Sequence, residues 1–171
     1  AITLTQSTTN ATTTGTITPS GAKIQVTDTS GADVTGNYAI TYKTGKLTIN
    51  KVSATLTCSN KTYNGASQTA CSCSGGTVSG GSATDAGTYT ASCTPDGNHT
   101  APDNKQWTMS PKAITITANN QTVTYGTAIT QGVNQVSVAT LVSGHSLSAI
   151  TLAQSTTNAT TTGTITPSGA K

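Results

Sequence analysis

Apolar side chains recur at every second position along this chain, in short runs divided by turn residues, and that regularity restricts it to β architecture. Ile2 and Leu4 alternate with polar neighbours, as do Ile24 and Val26, then Tyr38, Ile40 and Tyr42, then Leu47 and Ile49. The pattern continues through Ala54, Leu56 and Cys58; Tyr89, Ala91 and Cys93; Trp107 and Met109; and Ile114 and Ile116. A period of two puts alternate side chains on opposite faces of a strand, so one face can be buried. Turn signals such as Pro19-Ser20-Gly21, Asn64-Gly65, Ser79-Gly80-Gly81 and Asp96-Gly97 divide the runs, with spacings of about ten residues. No stretch carries the 3.6-residue period of an amphipathic helix. Thr supplies 41 of the 171 residues, and with Val and Ile it suits a pleated, half-buried surface. Only 8% of residues are charged, unlike a highly charged disordered chain. An all-β fold of short strands, of sandwich type, is the expectation.

Composition excludes several functions. There is no Phe, Glu or Arg, and the basic residues are eight lysines. A net charge of +3 without arginine is a poor footprint for nucleic acid. No run of eighteen apolar residues is present, so no helix is expected to insert in a membrane. Ala1-Ile2-Thr3-Leu4 lacks the basic region and apolar core of a signal peptide. Five aspartates and two histidines leave little for acid–base chemistry.

The chain also repeats itself. Residues 1–23 return as residues 149–171 at an offset of 148 positions, with Thr5 replaced by Ala153 as the one difference. One full period of a tandem array is therefore present, followed by the start of the next. Two lysine joints divide the period, Thr48-Ile49-Asn50-Lys51 and Met109-Ser110-Pro111-Lys112. They delimit segments 1–51, 52–112 and 113–171. Joining 113–171 to 24–51 would make one module of ordinary sandwich size. Segments 1–51 and 113–171 are thus expected to be incomplete by themselves, and neighbouring copies, in the same chain or an adjacent subunit, are the expected partners that close their open edges.

The run Lys112-Ala113-Ile114-Thr115-Ile116-Thr117-Ala118 with Gln121-Thr122-Val123-Thr124-Tyr125-Gly126 resembles the opening of MBG-type bacterial immunoglobulin-like repeats. Gly36-Asn37-Tyr38-Ala39-Ile40-Thr41-Tyr42 and Gly45-Lys46-Leu47-Thr48-Ile49-Asn50-Lys51 resemble their close. The middle segment, with Lys61-Thr62-Tyr63-Asn64-Gly65, Asp85-Ala86-Gly87-Thr88-Tyr89-Thr90 and Gln106-Trp107-Thr108-Met109, is similar to a related bacterial Ig-like type. The resemblance implies tandem Ig-like β-sandwich modules in an extended array. On this reading 1–51 is the C-terminal part of an MBG-like domain, 52–112 a disulfide-containing Ig-like module, and 113–171 the N-terminal part of the next MBG-like domain. It also implies the stalk of a large bacterial surface or adhesin-like protein. It supplies no catalytic residue and no rule for the cysteines.

Cys58, Cys71, Cys73 and Cys93 fall within the middle segment. Small domains with limited apolar surface are commonly held by disulfides outside the reducing cytosol. Cys71 and Cys73 share one strand face, and a bond between them would close a strained, very short loop. Two pairings remain, in which Cys58 and Cys93 each bond one of Cys71 and Cys73. A four-thiolate zinc site is the rival; it calls for paired knuckles of wider spacing.

Other constellations have plainer readings. His145 in Ser143-Gly144-His145-Ser146 and His99 in Asp96-Gly97-Asn98-His99-Thr100 lack the strand-to-helix elbow of a serine nucleophile, and are expected in solvated loops. Asp28 and Asp33 are too few for calcium, which takes six to eight oxygens, and suit turns instead. A Lys–Asn isopeptide bond would need a buried carboxylic acid beside it, and no aspartate lies on an apolar-alternating run. Sequons at Asn10, Asn60, Asn98, Asn120 and Asn158 occur about as often as this composition alone would produce. Trp107 alternates with Met109 and is expected in the core. No catalytic, metal or cofactor-binding residue is expected. The expected role is an extracellular structural spacer at a bacterial cell surface, with no catalysis. A multivalent adhesin binding glycans, matrix or sister filaments is the alternative.

Overall fold

The computed structural model describes residues 2–171. The strands are β1 (Thr3–Gln6), β2 (Thr12–Ser20), β3 (Gly45–Ile49), β4 (Val52–Ser53), β5 (Thr55–Cys58), β6 (Lys61–Thr62), β7 (Gln68–Thr69), β8 (Cys71–Ser74) and β9 (Gly76–Ser79). They continue as β10 (Ser82–Ala83), β11 (Gly87–Pro95), β12 (His99–Thr100), β13 (Lys105–Ser110), β14 (Thr115–Ala118), β15 (Val136–Ala139), β16 (Thr151–Gln154) and β17 (Ile165–Ser168). Two single 3-10 turns, Thr35–Asn37 and Val133–Gln135, complete the secondary structure among the described residues. The protein is all-β, as the alternation requires.

The chain divides into two compact units. The first comprises Ala1–Asn60, Thr69–Ser82 and Thr88–Thr108; the second comprises Lys61–Gln68, Ala83–Gly87 and Met109–Lys171. In the first, β1, β2 and β3 form an antiparallel sheet in that order. β5 pairs antiparallel with β8, and β9 with β11 and then β13. The core gathers Leu56, Ala54, Ala70, Ala91, Cys71, Cys93 and Trp107, all buried. Trp107 is 1% exposed, stacks on Tyr89 with ring centroids 4.9 Å apart, and donates its indole N–H to the Gly80 carbonyl at 2.9 Å. The hydrogen bond is what lets so large a polar-tipped ring be fully buried. Burying it and Leu56 contributes about 2–3 kcal/mol each.

Two ladders run parallel, each two residues long: β12 on β4, and β6 on the end of β13 within the second unit. In the second unit β14 pairs with β15, and β16 with β17, both antiparallel. Met109 and Leu152 are its buried apolar side chains.

The structure departs from the alternation at three places. Tyr38, Ile40 and Tyr42 predict a strand, yet residues 38–44 form none; Tyr38 and Tyr42 are exposed. Ile24 and Val26 also predict a strand, and only an isolated bridge between Gln25 and Asp33 forms there. Side chains hold this segment instead. Asp28 accepts hydrogen bonds from the Ser30 amide and hydroxyl, Asp33 from the Thr35 amide at 2.9 Å, and the Thr35 hydroxyl oxygen accepts from the Ile24 amide at 2.7 Å. Such local bonds offer the backbone an alternative to a ladder. Finally, Ile2 and Leu4 lie on an exposed face, Leu4 64% open: the period is that of a strand, but none of the described residues of the first unit buries that side.

Candidate functional site

The repeated 23-residue segment folds twice into the same hairpin. In the leading segment Thr3, Leu4, Thr5 and Gln6 face Ser20, Pro19, Thr18 and Ile17. In the trailing segment Thr151, Leu152, Ala153 and Gln154 face Ser168, Pro167, Thr166 and Ile165, the same register shifted by the repeat. The loops agree as well. The Ser7 hydroxyl accepts from the Thr16 amide at 2.9 Å, and the Ser155 hydroxyl from the Thr164 amide at 2.9 Å. Thr8 accepts from the Asn10 amide at 3.0 Å, and Thr156 from the Asn158 amide at 3.1 Å. These short-range bonds belong to the sequence, since both settings reproduce them.

The surroundings differ. Around the leading hairpin, β3 pairs with the outer edge of β2: Thr12 faces Ile49, Gly15 faces Leu47, Thr16 faces Lys46 and Ile17 faces Gly45. Gly15 is buried there, and a Cβ on it would lie 2.9 Å from Thr12 Cγ2 and 3.2 Å from Leu47 Cβ. Only a residue without a side chain lets Leu47 approach so closely. The Asn98 side chain also holds this hairpin, accepting from the Ala11 amide at 2.8 Å and donating to Asn10 Oδ1 at 3.2 Å.

The trailing hairpin has the opposite arrangement. Its face is covered: Leu152 is 4% exposed. The Gln131 side-chain amide brackets the Leu152 backbone, donating to its carbonyl at 2.9 Å and accepting from its N–H at 2.8 Å, as a neighbouring strand would. Gln121 brackets Thr130 in the same manner, at 2.9 and 2.7 Å. β17, however, has β16 as its one hydrogen-bonded partner strand among the described residues, and β14 lies close to it without a ladder. Residues 160–164, whose counterparts are β-strand in the leading segment, have no strand conformation here, and Gly163 is exposed. A cavity of about 420 Å³ is lined by residues of the 121–129 loop and by residues from Gln154 to Ile165 of the trailing hairpin, Thr160, Gly163 and Thr164 among them. No charged side chain lines it.

The remaining candidate residues are placed as follows. The cysteines form Cys58–Cys71 and Cys73–Cys93, one of the two pairings that the sequence leaves open, and none is free. Cys58 and Cys71 face one another across β5 and β8; Cys73–Cys93 joins that pair to β11. No cluster of three or more metal-ligating side chains occurs among the described residues. Asp28 and Asp33 serve turns, and hydrogen bonds from Ser30 and Thr35 hold both carboxyls below their ordinary value. His145 is exposed, with its Nε2 3.4 Å from the Tyr63 hydroxyl. Asn60 accepts from the Thr108 amide at 2.8 Å.

His99 is not merely solvated. Its ring lies against Gly75, where a Cβ would come within 2.5 Å of it and where φ is +84°, a backbone conformation that suits glycine. Its Nδ1 lies 2.6 Å from Asp96 Oδ1, and the Asn98 amide donates to the same oxygen at 2.8 Å. The His99 hydrogen bond, then that of Asn98, lowers the Asp96 pKa from 3.8. A depressed carboxylate contributes stability above its unfolded pKa and loses it as pH falls through the folded one. The wild-type chain is therefore expected to lose stability between about pH 5 and pH 3 by more than Asp96→Asn does. Urea unfolding followed by Trp107 fluorescence at the two pH values measures the difference, and equal losses in both proteins would remove the role given to Asp96.

Comparison with protein-family models, with curated proteins and with solved structures finds no match.

Proposed function

We propose that this chain is a period of an extracellular structural array: a stalk or filament at a bacterial surface, built of tandem Ig-like modules of MBG type and acting as a spacer without catalysis. The observation that carries this reading is the hairpin formed twice, 148 residues apart, in one register. A segment that forms the same hairpin register wherever it recurs suits a tandem array, because each period must fold beside its neighbours. Two disulfides support an oxidising, extracellular location. A surface of hydroxyl groups with few charges supports a passive role over one that recruits nucleic acid or charged ligands.

The test is length. Proteins of two, three and four periods, studied by small-angle scattering and electron microscopy, should grow by a constant increment per period. A maximum dimension that stops growing with period number would overturn the spacer. Saturable binding to a glycan array, lost on mutating one loop, would instead establish the adhesin reading.

A further inference from the structure

We propose that Asn64 is a self-modification site: in the folded protein the Gly65 backbone nitrogen displaces ammonia from the Asn64 side chain, and the imide so formed hydrolyses to aspartate and isoaspartate. Of the eleven asparagines in the chain, Asn64 alone precedes glycine.

Asn64 and Gly65 follow β6 in an exposed loop of the second unit. Gly65 has a φ of +83°, a conformation that suits glycine, and it carries no β-carbon to shield its nitrogen. Asn64 Oδ1 accepts a hydrogen bond from the Ala66 amide at 3.0 Å. That bond closes the side chain around the glycine between them, so nucleophile and carbonyl carbon are held together. It also aims a donor at the oxygen on which negative charge builds during attack at Cγ. Asp96-Gly97 has the same spacing, and Asp96 Oδ1 likewise accepts from the amide two residues on, at 2.8 Å. There, however, His99 Nδ1 at 2.6 Å favours the ionised carboxyl, and a carboxylate resists attack and has no ammonia to lose. The turn is shared; the leaving group is not.

The step balances without an oxidant or cofactor. The Gly65 N–H gives its proton to solvent, the nitrogen bonds Asn64 Cγ, and the Cγ–Nδ2 bond breaks as ammonia leaves with a proton taken back from solvent. One water then opens the cyclic imide. Opening at Cγ leaves aspartate; opening at the Asn64 main-chain carbonyl leaves isoaspartate, whose main chain is longer by a methylene. That added length meets a close contact within the same unit, because a Cβ on Gly65 would lie 2.5 Å from Val142 Cγ1. The Val142 carbonyl accepts from the His145 amide at 3.0 Å, and His145 Nε2 lies 3.4 Å from the Tyr63 hydroxyl. Isoaspartate at position 64 therefore pushes Gly65 off its seat and loosens the 142–145 turn, since tightly packed neighbours transmit such a shift.

Incubation of the full-length chain in mildly alkaline buffer, followed by peptide mass mapping and isoaspartate-specific methylation, reads the conversion. Residue 64 should gain the mass of an amide-to-acid exchange while the other asparagines remain amides. Asn64→Gln, whose longer side chain must close a larger ring, should show none of it, with Trp107 emission unchanged. Gly65→Ala should slow conversion by roughly tenfold, since a Cβ shields the nitrogen and resists the positive φ. Amide exchange at His145 should quicken in the isoaspartyl form and stay unchanged in Asn64→Asp, which carries the charge without the longer main chain. An Asn64 that stays an amide in the folded protein, while a synthetic peptide of residues 61–68 converts, would overturn the site, as would another asparagine converting first. Unaltered His145 exchange in the isoaspartyl form would overturn its coupling to the 142–145 turn.

Discussion

Reducing Cys58–Cys71 and Cys73–Cys93 is expected to unfold the core around Trp107. The bridges span sequence separations of 13 and 20 residues, and loops of that size restrict the unfolded chain by about 3 kcal/mol each. Together they amount to about 6 kcal/mol, comparable with the whole stability of a small domain. That core is also poor in apolar mass: three of its buried side chains are alanines, so it has little reserve once the bridges open. Because Trp107 is the chain's one tryptophan and is fully buried, its emission should shift to the red on reduction under conditions where the oxidised protein is unchanged. Replacing Cys73 and Cys93 by Ala should cost more than replacing Cys58 and Cys71. The former bridge closes the longer loop and ties the β5–β8 pair to β11, whereas the latter joins residues already opposed in a ladder. Buried emission that persists with four titratable thiols would sink this account of the core.

Leu152→Ala is expected to cost about 2–4 kcal/mol, the range for a fully buried leucine, whereas Leu4→Ala should change stability by less than about 0.5 kcal/mol. The two residues occupy the same place in a repeated sequence and differ sharply in burial, 4% against 64%. Hydrogen exchange at low protein concentration reads both: protection of the β16–β17 amides should fall steeply in the first variant, and that of β1–β2 should scarcely change in the second. Equal losses at the two positions would mean that the cover over Leu152, including the Gln131 bracket, contributes nothing to the hairpin beneath it.

Much of this was legible in the residues. Alternation identified strands wherever a partner strand was available, and Trp107 read as core because its neighbours alternate with it. Cysteine spacing narrowed the bridges to two pairings. It could not choose between them, since Cys71 and Cys73 share a strand face and only the placement of β5 and β11 beside that strand decides. Tyr38, Ile40 and Tyr42 have the period of a strand, yet a period reports which side chains share a face and not whether another strand pairs with it. The glutamine brackets at Gln121 and Gln131 carried no signal at all. A glutamine amide is a donor and an acceptor in any setting, and it imitates a strand only once tertiary structure sets it beside a free backbone.

The repeated segment draws the boundary between the two kinds of information. Its hairpin, register and loop hydrogen bonds arise from the 23 residues themselves, because they connect positions within a short stretch and recur in both settings. Which face is buried and which edge is paired are decided by tertiary structure, because Leu4 and Leu152, or Gly15 and Gly163, are locally the same and differ in what the distant chain lays against them. Local hydrogen bonding travels with the sequence; burial belongs to the neighbours.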